Sequence, residues 1–290
     1  MWALSEFSQR GSGRPLVFAH RGGAGLRPEN TMPAFDHGLS LGADGVELDV
    51  HLSRDGVVMV HHDDALDRTT DATGPLASRT ADELAQVDAG YRFNRHLESG
   101  QTEYPFRGQH IGIPRFRDVL ARHRTARVII ELKTPEPELA RRTVDDIKAA
   151  GALDRVVLGS FHWRALVEAR RYEPRIPTGA AREETRWALY RSWVRWPFVS
   201  ARPYVAFQVP ERAGRLRVVS PTFVRQAHHE GQVVQVWVVD TEADAERLLT
   251  WGVDGLISDR PDVTVPARDQ WMAAHRNTAA FATGARKHLL

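Results

Sequence analysis

The sequence predicts a closed (β/α)₈ barrel, and three observations support this fold class. Short apolar, β-branched segments alternate with longer segments in which the apolar residues follow helical spacing. The apolar segments are nearly continuous, as expected for parallel strands that are buried on both faces. The length of 290 residues suits one such barrel, and an open, doubly wound sheet is the alternative arrangement of the same elements.

The expected elements follow in chain order. We expect strands at Leu16–His20, Gly45–Val50, Arg127–Leu132, Val156–Ser160, Pro177–Ala180, Tyr204–Val209, Val233–Val239 and Gly255–Ser258. We expect helices at Thr31–Leu41, Phe116–Arg124, Pro137–Ala150, Trp163–Tyr172, Glu183–Trp193, Pro221–Glu230 and Glu242–Trp251. Each helix would connect two parallel strands, as the barrel requires.

The segment after the second strand departs from this alternation. Arg54-Asp55-Gly56 is a turn signal, and it predicts a hairpin that returns Val57–His61 to the end of the second strand. From about residue 72 to 114 the sequence is polar and rich in Gly and Pro. We expect this stretch to be an insertion without regular elements on the active-site face, because such long excursions inside a domain are usually functional.

The chain lacks the signs of a second domain. It contains no internal repeat, no low-complexity tract and no Gly/Ser linker. We therefore expect residues 1–290 to form one domain, with the barrel at about 16–265 and a C-terminal helix or tail at about 266–290.

Composition excludes several classes of function. The formal net charge is only +2, so no strong field favours nucleic acid as a partner. The absence of cysteine excludes disulfides, thiolate catalysis and Cys-type zinc sites. No apolar run approaches the roughly 20 residues of an integral membrane helix, and Glu6 interrupts the opening residues before a secretion signal could form. We expect a soluble, cytoplasmic protein.

The first strand ends in His20-Arg21, followed by two glycines. In a barrel the active site lies at the C-terminal ends of the strands. Here His20 offers an acid/base group and Arg21 a fixed cation beside a backbone that can approach an anion closely. A structural histidine is the alternative interpretation.

Strands two and three carry carboxylates at a spacing of two. Glu47 and Asp49 share one face of their strand, and Glu131 and Lys133 share one face of theirs. Carboxylates in a barrel interior are costly unless a cation compensates them, and oxygen ligands suit Mg²⁺ or Ca²⁺. The sequence therefore indicates one divalent metal ion held by Glu47, Asp49 and Glu131. Outward-pointing carboxylates, and a simple ion pair for Lys133, are the alternatives.

The hairpin leads into the sequence HHDD, which begins with His61 and His62. A histidine returned by the hairpin would face His20 across the metal. Two histidines beside a cation-bound phosphate suit the general acid and general base of phosphodiester cleavage.

Taken together, five strings resemble the glycerophosphodiester phosphodiesterase family. They are HRGGAGLRPENT from His20, GADGVELDV from Gly42, HHDDALDRTT from His61, IELK from Ile130 and VDGLISDRP from Val253. The resemblance extends from about Val17 to Pro261, and the strings occur in the family's order.

This resemblance implies a TIM barrel with one divalent metal ion and two catalytic histidines. By motif position the histidines are His20 and His62, because the family's second histidine directly precedes the aspartate that is Asp63 here. The metal ligands of the family match Glu47, Asp49 and Glu131. Its phosphate-site and pocket positions match Arg21, Lys133, Glu29 and Trp237. The implied partner is a small glycerophosphodiester, cleaved to glycerol 3-phosphate and an alcohol.

Two departures from the family pattern bear on specificity. Arg115-Phe116 stands where members often have Thr-Leu, and Arg215–Thr222 matches only loosely. The opening HRGGAG also resembles a lysophospholipase D branch, so a single-chain lysophospholipid is the alternative substrate. Such a lipid would need an apolar groove, for which Trp193, Trp196, Phe198 and Phe207 are candidates, although these residues also suit the core.

Two other interpretations complete the set of hypotheses. A catalytically silent barrel that binds a phosphate ligand is the alternative from a different class, because fold alone never guarantees activity. A sphingomyelinase-D-like enzyme is less favoured, because that secreted class relies on disulfides and this chain contains no cysteine.

Overall fold

The parallel strands form a nearly closed barrel, as predicted. The structure is a computed structural model that describes Phe7, residues 14–194 and residues 202–284, with side chains up to residue 193 and from 202 to 275. The barrel strands are β1 (Leu16–His20), β2 (Gly45–Leu52), β6 (Arg127–Leu132), β7 (Val156–Gly159), β8 (Ala206–Pro210), β11 (Val233–Trp237) and β12 (Gly255–Ser258). Their order around the barrel is β7-β6-β2-β1-β12-β11-β8.

The gap between β7 and β8 is bridged by the segment predicted as the fifth strand, residues 177–180. This segment forms two isolated parallel bridges, Leu158 with Thr178 and Gly179 with Ala206, rather than a regular strand. Backbone hydrogen bonds nevertheless extend to both neighbours: Gly179 N donates to Leu158 O over 2.8 Å and Ala180 N donates to Ala206 O over 2.7 Å. The eighth barrel position is thus occupied, but by a segment too short for a continuous ladder.

Helices cover the outside of the barrel. They are α1 (Met32–Ser40), α3 (Phe116–Arg122), α4 (Pro137–Ala149), α5 (Trp163–Tyr172), α6 (Arg182–Val194), α7 (Pro221–His229), α8 (Glu242–Thr250) and α9 (Pro261–Gly284). The first turn of α1 shows why the helices begin where they do. Thr31 accepts the N–H of Ala34, and Met32-Pro33 places the proline where no backbone donor is needed.

The predicted hairpin is confirmed. Strand β3 (Val58–Val60) pairs antiparallel with β2, and Val60 lies opposite Val50. Gly56 in the turn has φ +76°, a backbone conformation that favours glycine. The hairpin returns the chain alongside β2, where the N–H of His61 donates to Asp49 O over 3.0 Å.

The insertion contains regular elements, which the sequence interpretation did not anticipate. They are a 3₁₀ turn (Leu76–Ser78), helix α2 (Ala81–Ala85) and a small hairpin of β4 (Arg95–His96) with β5 (Thr102–Glu103). The signal for α2 was visible, because Thr80 and Glu83 form a reciprocal capping box. The hairpin lies near the loop after β1, with Arg95 Nη2 3.3 Å from Leu26 O.

Two further boundaries differ from expectation. The last helix begins at Pro261 rather than near 266, and Pro266 lies inside it. A second small hairpin, β9 (Arg212–Ala213) with β10 (Leu216–Arg217), follows β8. Within the described ranges, no helix combines the length and the apolar character needed to cross a membrane.

The side chains inside the barrel change from apolar to polar along the barrel axis. Phe18, Ile129, Val157 and Ile257 are buried together in the lower part, where the ring of Phe7 stacks on Phe18 with 6.0 Å between centroids. Polar side chains replace them toward the C-terminal ends of the same strands. The apolar layer supports the site above it and separates it from the opposite end.

Candidate active site

The register of the strands brings the three predicted carboxylates together. Asp49 on β2 lies beside Glu131 on β6, and Glu47 lies beside His20 on β1. Ligand oxygens of Glu47, Asp49 and Glu131 all lie within 4.8 Å of one another. Alternate residues of a strand share one face, so all three carboxylates point inward, as the sequence pattern predicted.

The carboxylate cluster is electrostatically costly. Burial raises the pKa of Glu47, and the neighbouring Asp49 carboxylate raises it further. Burial also raises the pKa of Glu131, although Lys133 partly opposes this shift. The ammonium of Lys133 lies 3.1 Å from Glu131 Oε1 and 3.3 Å from Asp49 Oδ1. A divalent cation would remove the remaining repulsion, and a set of three carboxylates suits Mg²⁺ or Ca²⁺.

The loop after β1 holds two of the carboxylates in place. Arg21 and Asn30 both adopt left-handed backbone conformations, with φ of 49° and 57°. The N–H of Arg21 donates to Glu47 Oε2 over 3.1 Å, and Asn30 Nδ2 donates to Asp49 Oδ2 over 2.8 Å. Such strained conformations persist where surrounding contacts determine them. The loop therefore orients the carboxylate cluster as well as supplying Arg21.

His20 lies between two carboxylates. Its Nδ1 donates to Asp259 Oδ1 over 2.7 Å, and its Nε2 lies 3.7 Å from Glu47 Oε2. Burial alone would lower the pKa of His20, but Glu47 and Asp259 reverse this effect and raise it. Asp259 itself is oriented through its backbone, because its N–H donates to Asp240 Oδ1 over 2.8 Å.

His62, rather than His61, lines the same cavity as His20. Its Nδ1 donates to Asp63 Oδ1 over 2.6 Å. His61 is buried away from the cavity, and its Nε2 donates to Ala65 O over 3.3 Å. The backbone of His62 is held by His51, whose Nε2 donates to His62 O over 3.1 Å.

An ion-pair chain connects His62 to Arg21. Arg68 Nε donates to Asp63 Oδ2 over 2.6 Å, and its terminal nitrogens donate to both oxygens of Glu29. Glu29 in turn accepts from Arg21 Nη1 over 3.0 Å. These hydrogen bonds outweigh burial and lower the pKa of Glu29 to about 2. Glu29 therefore positions Arg21 instead of facing the cavity itself.

One cavity of about 810 Å³ connects these groups. His20, Arg21, Glu47, His62, Glu131 and Lys133 line one half, at the ends of β1, β2 and β6 and in the segment after β3. The other half is formed by the C-terminal ends of β7, β8 and β11, by residue 180, and by the chain segments that follow them. Trp237 belongs to this second half and packs edge to face against Phe161 at 6.1 Å between centroids. It thus walls the cavity where the resemblance placed it.

Several residues of the site were not anticipated from the sequence. Asp259 and Arg68 occur in the quoted strings, but nothing local indicates their partners. Leu216 and Val218 line the cavity within the stretch that matched the family only loosely. Arg115, which replaces the usual residue before α3, forms an ion pair with Asp82 of the insertion and provides no side-chain cap.

The proposed apolar groove has a different lining from the one expected. Phe207 is buried in the outer core between Tyr204 and Phe223, and Trp193 is 55% exposed on α6. Trp196 and Phe198 lie outside the described residues. Phe161, Leu189 and Leu216 are among the apolar side chains that do line the cavity.

A TIM barrel with this site is an enzyme of the phosphoric diester hydrolase class. The chain belongs to the glycerophosphoryl diester phosphodiesterase family, whose sequence profile matches residues 20–263. The family assignment made from the five strings is therefore confirmed.

Individual relatives agree with this assignment. A glycerophosphodiester phosphodiesterase of Bacillus altitudinis is 32% identical over 88% of this chain and 98% of its own. A probable glycerophosphodiester phosphodiesterase 2 of Mycobacterium tuberculosis is 31% identical over 93% of this chain and 97% of its own. A solved phosphodiesterase of Oleispira antarctica, in complex with its product sn-glycerol-3-phosphate, superposes with a TM-score of 0.70 at 26% identity, covering 89% of this chain and 98% of that one.

Proposed function

We propose that this enzyme is a metal-dependent glycerophosphodiester phosphodiesterase that releases glycerol 3-phosphate and an alcohol, with His20 and His62 as its acid/base pair. The observation that carries this proposal is the placement of two histidines from separate segments in one cavity beside three converging carboxylates. The product bound by the Oleispira relative supports glycerol 3-phosphate as the product here.

Glu47, Asp49 and Glu131 would hold one divalent cation, Mg²⁺ or Ca²⁺. The three carboxylates converge with two of them buried, and burial and mutual repulsion disfavour their charged forms. Only carboxylate oxygens contribute, which suits a hard cation and not a soft one. When bound, such an ion neutralises negative charge on the phosphodiester.

The two histidines share the proton transfers. Each has its Nδ1 bonded to a carboxylate, His20 to Asp259 and His62 to Asp63. This pairing fixes the proton on Nδ1 and leaves Nε2 of each ring to exchange a proton with substrate. One histidine accepts a proton from the attacking hydroxyl, and the other donates a proton to the leaving alcohol.

Arg21 and Lys133 are proposed to hold the non-bridging phosphate oxygens. Both line the cavity, and both are fixed by carboxylates: Arg21 by Glu29 at 3.0 Å and Lys133 by Glu131 at 3.1 Å. A cation that is already oriented stabilises charge as it develops without a reorganisation cost. Trp237 closes the side of the cavity that faces the rest of the substrate.

The substrate supplies its own nucleophile in the proposed reaction. The glycerol hydroxyl next to the phosphoester oxygen attacks phosphorus, the phosphorus–oxygen bond to the alcohol breaks, and a cyclic phosphate forms. Water then opens the ring to glycerol 3-phosphate. Attack within one molecule has a large kinetic advantage, and the chain has no cysteine to act as a nucleophile. The Ser160 hydroxyl donates to Leu132 O over 2.7 Å instead of facing a base.

A turnover panel tests the proposed function. Glycerophosphocholine and glycerophosphoethanolamine should release glycerol 3-phosphate, and EDTA should stop the release. Lysophosphatidylcholine in the same panel tests the lysophospholipase D alternative. If neither glycerophosphodiester is cleaved in the presence of Mg²⁺ or Ca²⁺, the proposal is wrong.

A further inference from the structure

The half of the cavity opposite the catalytic groups carries three arginines that the proposed reaction does not use. Arg182 and Arg186 lie on α6, and Arg212 lies on β9. All three line the cavity, and all three are exposed at its mouth. They follow residues 177–180 and β8, so they lie at the same end of the barrel as the catalytic groups.

These arginines differ from the phosphate-binding candidates because no carboxylate of the described residues neutralises them. The phosphate-binding candidates Arg21 and Lys133 are each paired with carboxylates. Among the described residues, Arg182, Arg186 and Arg212 form no ion pair within 4.0 Å and no side-chain hydrogen bond. Three guanidinium groups around one cavity repel one another unless an anion lies between them.

The three arginines belong to one continuous part of the cavity wall. Arg182, Thr185, Arg186 and Leu189 all line the cavity, and their spacing of three and four places them on one face of α6. Arg212 approaches from the β9–β10 hairpin together with Leu216. The surface thus combines guanidinium donors with an apolar floor.

A cationic headgroup does not suit this surface. Trp237 and Phe161 are the kind of ring pair that binds a quaternary ammonium. The Arg182 guanidinium, however, already lies over the Phe161 ring at 5.7 Å from its centroid. A second cation there would be repelled by three guanidinium groups. An anionic group, which arginine binds through paired N–H donors, is the complementary ligand.

We propose that Arg182, Arg186 and Arg212 form a subsite for a second anionic group, a phosphate or carboxylate carried by the alcohol part of the diester. This inference rests on the proposed function, since it assumes that the scissile phosphate occupies the catalytic half of the cavity. The enzyme then selects glycerophosphodiesters whose alcohol is anionic over those whose alcohol is neutral or cationic.

Two substrates that differ by one phosphate test the subsite: glycerophosphoinositol and glycerophosphoinositol 4-phosphate. We expect kcat/KM of the wild type to be higher for the phosphorylated substrate by on the order of tenfold, comparable to one charge-assisted hydrogen bond. The triple variant R182Q/R186Q/R212Q should lose this preference, so that its kcat/KM values for the two substrates differ by less than about threefold. The preference should also weaken at high salt.

Control variants and a lipid substrate distinguish the outcomes. Arg225→Gln changes an exposed arginine whose one side-chain hydrogen bond within the described ranges goes to Thr222 of its own helix, and it should retain the preference. Lysophosphatidylinositol 4-phosphate carries the same anionic headgroup on a lipid, and faster cleavage of it assigns the subsite to lipid headgroups. Equal kcat/KM for the two soluble substrates, or a preference that survives in the triple variant, overturns the proposal. Failure to cleave any substrate of the series contradicts the proposed function instead.

Discussion

Nδ1 of His20 lies 2.7 Å from Oδ1 of Asp259, although the two residues are 239 positions apart in the chain. The contact exists because β1 pairs with β12, which aligns Ala19 with Ser258. The residues that come directly after these two, His20 and Asp259, therefore lie side by side. His20 closes the first strand of the barrel and Asp259 follows the last. The closure of the barrel therefore creates the hydrogen bond that orients one of the two proposed catalytic histidines.

Asp259 is expected to act by positioning His20. The variant Asp259→Asn should lower kcat by roughly tenfold to a hundredfold with little change in KM, because the protonated ring loses its counter-charge and its fixed orientation. Steady-state kinetics with glycerophosphocholine measures kcat and KM separately. Asp262→Asn, which removes the partner of Arg260 in the same turn, is the control and should leave kcat within about twofold. A kcat for Asp259→Asn equal to that of the wild type would show that the contact is only structural.

The two adjacent histidines of the HHDD string should differ sharply in their effect on catalysis. A positioned acid or base contributes roughly 10²–10⁴-fold, so His20→Ala and His62→Ala should each lose at least that much activity. His61→Ala should keep most of its activity and lose stability, because His61 is buried and bonds to Ala65 O. Rate measurements and thermal unfolding of the three variants separate these effects. An essential His61 beside a dispensable His62 contradicts the assignment.

The carboxylate triad should couple metal binding to stability. Mg²⁺ or Ca²⁺ should raise the Tm of the wild type, because a ligand that binds only the folded state stabilises it. Glu47→Gln, Asp49→Asn and Glu131→Gln should abolish both turnover and the rise in Tm. Excess chelator should remove activity from the wild type while destabilising it only modestly. Unchanged turnover in chelator rules out the proposed metal site.

Several parts of the fold and site follow from local sequence patterns. Apolar strand cores and their flanking turns located most barrel strands to within a few residues, and the alternation of side chains along β2 and β6 predicted the inward-facing carboxylates. The turn signal at Arg54-Asp55-Gly56 predicted the hairpin. In each case the deciding interaction lies within a few residues along the chain, so the sequence displays it.

Other features depend on contacts that no local pattern displays. The pairing of His20 with Asp259 requires barrel closure, and the chain from Asp63 through Arg68 to Glu29 requires the hairpin to dock on the loop after β1. The arginines of α6 resemble an ordinary solvated helix face until the cavity beside them is known. The segment at 177–180 carries strand-like residues, but its length allows only isolated bridges.

The ion-pair chain should make stability depend on Glu29 in a defined pH range. The folded-state pKa of Glu29 is lowered to about 2 from its ordinary value of 4.5, so its contribution to stability is complete above about pH 4.5 and is lost as the pH falls toward 2. Glu29→Gln should therefore reduce the free energy of unfolding by about 3 kcal/mol at pH 7, and the difference from the wild type should shrink below about pH 4.5. Urea unfolding of both proteins from pH 7 to pH 3 measures this difference in the free energy of unfolding. Glu138→Gln, which removes an exposed pair with Arg142, is the control and should change little. A difference that grows on acidification contradicts the assignment.

The proposed attack by the substrate's own hydroxyl predicts a specific loss of rate. A glycerophosphocholine analogue that lacks the hydroxyl next to the phosphoester oxygen should still bind, because Arg21 and Lys133 are proposed to hold the phosphate and not that hydroxyl. It should be cleaved orders of magnitude more slowly, since the intramolecular advantage disappears and neither histidine has a hydroxyl to deprotonate. Competitive inhibition gives its affinity, and single-turnover cleavage, monitored by ³¹P NMR, gives its rate. With the natural substrate the same spectra should show a transient cyclic phosphate. Cleavage of the analogue at a comparable rate would assign the attack to water, and His20 and His62 would then transfer protons to and from water rather than the substrate hydroxyl.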